Sequence, residues 1–147
     1  MNKKHFCAAV ILLSLLATGL HIALAEGSLP QIDIDIKPGS EENVINLGLN
    51  GVIPVAILSE PGFNATDENV VVRENIYLEG LTVGVRGNGV AMAQESDVDG
   101  DGDVDLVVQI NVENLDPGLF QDGEARLWIQ SSAGYWGVDS VTIVPPE

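Results

Sequence analysis

Beyond residue 25 this 147-residue chain has neither histidine nor cysteine. His5, Cys7 and His21 all fall in the first 25 positions. Their absence excludes metal sites built on imidazole or thiolate. It also excludes Ser-His-Asp and Cys-His nucleophiles, and any disulfide within residues 26–147. Basic side chains are nearly as scarce. In the same span Lys37, Arg73, Arg86 and Arg126 stand against 22 carboxylates, four against 22, a formal charge of −18. That balance argues against nucleic acid and anionic membrane as partners. A single lysine leaves little room for amine chemistry. An enzyme would be left with a carboxylate pair or a metal-assisted reaction.

Long hydrophobic runs are absent except at the N-terminus. Lys3, Lys4 and His5 precede an apolar stretch from Phe6 to Leu16, broken only by Ser14, and Ala23-Leu24-Ala25 has the small-x-small form of a cleavage site. Residues 1–25 therefore read as a signal peptide. A retained membrane anchor is the rival, since the apolar stretch extends to Leu24. Gly19, His21 and the Ala-Leu-Ala exit favour cleavage. Cys7 lies early in the run, which argues against a lipid-attachment cysteine. Residues 26–147 are then one domain of about 122 residues, outside the cytoplasm: secreted, periplasmic or at the cell surface.

The domain reads as all-β. Gln31 to Lys37 alternates, with Ile32, Ile34 and Ile36 on one side and Asp33 and Asp35 on the other. Val44 to Leu49 is a weaker extended segment. Gly51 to Leu58 is almost continuously apolar, as in a strand buried on both faces, and Pro54 within it implies an edge strand or a bulge. Thr66 to Asn69 is expected to form one helical turn capped by Thr66. Val70–Leu78, Leu81–Arg86, Val90–Ala93, Leu106–Val112, Glu124–Gln130 and Gly137–Val144 read as further strands. Gly87-Asn88-Gly89 reads as a hairpin turn, and Asn114 to Phe120 as a connection. Seven or eight short strands with frequent turns predict a single-domain antiparallel β-sandwich, Ig-like or jelly-roll-like.

The densest chemistry is Asp97-Val98-Asp99-Gly100-Asp101-Gly102-Asp103-Val104-Asp105, five carboxylates in nine residues with no base among them. Like charges gathered so closely repel. A hard divalent cation relieves that, and a purely oxygen ligand set suits calcium. Counting Asp97 as position 1, carboxylates fall at 1, 3, 5, 7 and 9, with Gly102 at the reversal. Position 12 is Val108, inside a β pattern, so the loop is not an EF-hand. Asp105 is expected to close the site, and Asp103 to give its backbone carbonyl. Glu95 is a further candidate oxygen. The alternative is a solvated acidic turn that binds nothing.

Four segments in this order carry a resemblance: Ile34-Asp35-Ile36-Lys37-Pro38-Gly39-Ser40, Gly51 to Leu58, Asp97 to Gly102 with Asp105-Leu106-Val107, and Gly137 to Pro145. The series resembles a β-rich domain of many exported bacterial and archaeal proteins, often found at the end of larger chains. The resemblance implies an exported calcium-binding sandwich, with Asp97, Asp99, Asp101 and Asp105 as ligands, and implies no biochemical activity. Asp122 to Leu127 departs from the usual turn.

Other features are weaker. Asp33 and Asp35 share the polar face of one strand, whereas glycosidase carboxylates usually face each other across a cleft. Trp128, Tyr135 and Trp136 are candidate ligand-binding rings, and as neighbours Tyr135 and Trp136 point to opposite faces of a strand. Asn64-Ala65-Thr66 fits an N-glycosylation acceptor. The expected protein is non-enzymatic, binds calcium, and has a structural or adhesive role toward an extracellular protein or polysaccharide. A carbohydrate-binding module is the second reading and a carboxylate-based hydrolase the third.

Overall fold

The computed structural model describes residues 28–48, 50–113 and 116–145. The segment read as a signal peptide, residues 1–25, lies outside them, as do Leu49, Asn114 and Leu115. The described residues contain nine strands and two short 3-10 turns, with no α-helix. The strands are β1 (Ile34–Ile36), β2 (Val44–Asn46), β3 (Val52–Ile57), β4 (Ile76–Leu78), β5 (Leu81–Thr82), β6 (Ala93–Ser96), β7 (Asp105–Asn111), β8 (Gly123–Ile129) and β9 (Tyr135–Val144).

They form two sheets. One is four-stranded in the order β1-β3-β7-β6, and the other five-stranded in the order β2-β9-β8-β4-β5. Pairing is antiparallel throughout except between β2 and β9, which run parallel. The reason is topological: the chain leaves β1 through a tight turn and enters the second sheet alongside its last strand.

Alternation makes the core. On β8, Ala125, Leu127 and Ile129 are buried while Glu124, Arg126 and Trp128 face out. On β3 and β7, Ile53, Val55 and Ile57 lie opposite Ile110, Val108 and Leu106. Both sets join one hydrophobic cluster with Ile76, Leu78, Leu127 and Ile129 of the other sheet. Burying a side chain of this size contributes about 1.5–3 kcal/mol, so this shared core dominates stability. Ala56 and Val107, opposed on the other face, are buried as well. The continuous apolar run of β3 thus reflects burial on both faces.

The N-terminal strand joins the two sheets. Ile32 N–H donates to Trp136 O of β9 at 2.9 Å, whereas Asp33 O accepts from Leu58 N–H at 3.0 Å, just past the end of β3. The chain therefore changes partner sheet at Ile32–Asp33. Gly137 makes the crossing possible, because a Cβ there would lie 2.6 Å from Ile34 Cγ2 and 3.0 Å from Ile32 O. Asp139 of β9 fastens the same seam. Its Oδ2 accepts from Ile36 N–H at 2.8 Å and from Asn43 Nδ2 at 3.0 Å.

Several sequence expectations need correction. Pro54 sits inside β3, which has neighbours on both sides. Its carbonyl accepts from Lys37 N–H, but Lys37 has φ +56° and turns its own carbonyl to Ser40 N–H. β1 therefore ends where proline has no N–H to offer. Val70 to Asn75 is turn and 3-10 structure, so only Ile76–Leu78 of that segment is strand. The single turn expected at Thr66 starts one residue later and is capped by Asp67, whose carbonyl accepts from Val70 N–H at 2.9 Å and Val71 N–H at 2.8 Å. Asn64 Oδ1 accepts from both the N–H and the hydroxyl of Thr66, and Asp67 Oδ1 accepts from Asn69 N–H. Strand β6 begins at Ala93, where the expected strand ended. The hairpin at Gly87-Asn88-Gly89 is present, closed by Arg86 N–H to Val90 O at 2.8 Å.

Candidate functional site

The acidic loop joins β6 to β7, which pair directly: Ser96 opposes Asp105. The loop therefore spans the two ends of one hairpin. Its carboxylates fold it by taking its own backbone donors. Asp97 Oδ1 accepts from Gly100 N–H at 2.7 Å and Oδ2 from Gly102 N–H at 3.2 Å. Asp99 Oδ1 accepts from Asp101 N–H, and Asp101 Oδ1 from Asp103 N–H. Gly102 has φ +99°, a conformation that side chains with a Cβ rarely adopt, so the glycine at the reversal has the role its position suggests.

Asp105 differs from the rest. It is fully buried, whereas Asp97 and Asp99 are exposed. Its Oδ1 accepts from Ser59 N–H and its Oδ2 from Val98 N–H, both at 2.8 Å. Ser59 extends the tie: its hydroxyl donates to Val104 O at 2.8 Å and accepts from Ala65 N–H at 3.0 Å. Two hydrogen bonds do not exhaust a carboxylate, which offers about four lone-pair sites.

Asp97, Asp99 and Asp105 each present a carboxylate oxygen, and these oxygens all lie within 4.8 Å of one another. At that separation each pair of charges repels by roughly 3 kcal/mol near a protein surface. The arrangement can hold a metal ion, and every donor is a hard oxygen. Asp101 and Asp103 are exposed on the same loop and stand outside this trio. Glu95 is engaged elsewhere, in an ion pair with Arg73 at 2.8 Å.

The remaining candidates are dispersed. Asp33 is exposed and Asp35 partly buried on β1. Burial, and then the charge of Asp139, raise the Asp35 carboxyl above its ordinary value. Tyr135 turns inward and packs on Phe63 with ring centroids 4.8 Å apart. Trp136 turns outward to Trp128, at 6.1 Å and 29° between ring planes. Sequence reading missed Ser59 and Tyr77. Ser59 has no local signal, because its partner lies 46 positions away. Tyr77 falls in register with Trp128 only once β4 and β8 pair.

No family model matches the chain, and no curated protein matches it.

Proposed function

We propose that residues 26–147 form an exported, calcium-stabilised β-sandwich without catalytic activity, with a structural or adhesive role outside the cytoplasm. One observation carries this reading: three loop carboxylates gathered within 4.8 Å, one of them buried and pinned to Ser59. Calcium takes six to eight oxygen ligands. Asp97, Asp99 and Asp105 would be side-chain ligands, and Asp101, backbone carbonyls and water would complete the shell. A bound ion would cancel the repulsion in the loop and fix the β6–β7 hairpin. It would also fix the Ser59–Ala65 segment tied to Asp105.

Two sheets whose inward residues share one core fit a sandwich. The N-terminal apolar segment supports export, and the four-segment resemblance supports the class as a whole. The lack of histidine and cysteine beyond residue 25 supports a non-catalytic role.

Calorimetric melting with millimolar calcium or with chelator tests the proposal. A transition clearly higher with calcium is expected. Superimposable melts would remove its basis.

A further inference from the structure

We infer that the outer face of the five-stranded sheet carries a binding row for a neutral, extended polysaccharide. Five residues lie in register across it. Thr82 of β5 opposes Tyr77 of β4, Tyr77 opposes Trp128 of β8, Trp128 opposes Trp136 of β9, and Trp136 bridges to Gln31. Opposed residues share one face of a sheet. Here that face is the outer one, since Ile76, Leu78, Leu127 and Ile129 on either side are buried in the core. At about 4.8 Å per strand the row is roughly 19 Å long. It reads polar, aromatic, aromatic, aromatic, polar.

Trp128 is exposed, and Tyr77 and Trp136 are half-buried. Trp128 is 41 % exposed, the highest value of any described aromatic residue. The two indoles stack across β8 and β9, with 6.1 Å between centroids and 29° between planes. Trp136 is oriented through its edge, its Nε1 donating to Leu29 O at 3.0 Å.

Charge selects the partner. The chain has a formal charge of −16, yet no residue of the row is charged. Arg126, two residues from Trp128 on the same face, lies 3.6 Å from Glu124. A polyanion meets repulsion from the rest of the molecule, and a cationic partner is drawn to the acidic loop instead. A pyranose has an apolar C–H face and a hydroxyl rim. The face suits an indole or phenol ring, and the rim suits the Gln31 amide and the Thr82 hydroxyl. Aromatic residues in register on three adjacent strands give one extended sugar chain more than one ring to meet.

The test is a titration of the full chain with cellohexaose, xylohexaose, laminarihexaose and mannohexaose, with polygalacturonate as the anionic control. Tryptophan emission and calorimetry are the readouts. Saturable binding of at least one neutral hexasaccharide is expected, with none of polygalacturonate. Trp128→Ala should weaken it at least tenfold and Trp128→Phe much less, with both variants melting as the wild type does with and without calcium. Absence of binding by all four sugars, preference for polygalacturonate, or full binding by Trp128→Ala would overturn the assignment. So would a dimer that Trp128→Ala dissociates, which places a second copy on the row. An emission change on removal of residues 1–27 that matches sugar addition would place that segment there, with the same consequence.

Discussion

The carboxylate of Asp105 accepts the backbone N–H of Ser59 at 2.8 Å across 46 positions of sequence. Its second oxygen accepts Val98 N–H at the same distance. A residue expected to act as a metal ligand is thus also the internal tie between two loops.

The first prediction separates those roles. In chelator, Asp105→Ala should cost about 2–4 kcal/mol, because it leaves two backbone donors without partners. Asp97→Ala under the same conditions should cost far less, as its partners are exposed amides. Urea denaturation of both variants measures the difference. Equal costs would mean that burial of Asp105 has no structural value.

Calcium dependence is the second. At a hundredfold excess over Kd, one site adds about 2.7 kcal/mol, read as a rise in melting temperature. Asp97→Ala and Asp99→Ala should abolish the increment. Asp103→Ala and Glu95→Gln should keep most of it, because Asp103 stands outside the trio and Glu95 belongs to Arg73.

Asp35 gives the third. Its folded pKa is raised by burial and by Asp139 above the ordinary 3.8. A raised carboxyl binds its proton more tightly in the folded state. The charged form therefore opposes folding at neutral pH, and that penalty disappears as pH falls through the folded pKa toward the unfolded one. Asp35→Asn should melt higher than the wild type at pH 7, by about 1–2 °C after solvent screening. The two should converge below pH 3.8. A lower melting temperature at pH 7 would contradict the assignment.

The fourth concerns the seam. Gly137→Ala places a methyl group 2.6 Å from Ile34 Cγ2 and 3.0 Å from a backbone oxygen. Overpacking of this kind costs about 1–3 kcal/mol. Gly87→Ala, with nothing within 4 Å, is the control and should cost much less. Chemical denaturation of both variants is the check.

Much of this was legible in the residues. The isoleucine alternation of Ile32, Ile34 and Ile36 marks buried positions, all three of which are in the core. Asp97 to Asp105 suggests a metal-binding loop by spacing, because the hydrogen bonds of Asp97, Asp99 and Asp101 are local, whereas the Asp105 tie to Ser59 is not. What was illegible depends on register and sequence separation. Pro54 suggested an edge because propensity records the missing N–H and not the neighbour's early turn at Lys37. Val70 to Asn75 is apolar enough for a strand, yet Val70 and Val71 N–H donate back to Asp67 O. The parallel β2–β9 pair and the row through Tyr77 exist only after strands far apart in sequence meet.

The change of sheet at Ile32–Asp33 also bears on kinetics. Ile36 N–H finds its acceptor 103 residues later, on the last strand, so loop closure on that scale must precede the contacts that reward it. A nascent polypeptide halted before Tyr135 holds every strand of the four-stranded sheet but lacks the partner for residues 30–32 and for β2, and the five-stranded sheet stays open between β2 and β8. Completion of the native state therefore waits for the final strand, and the chain remains threadable until then.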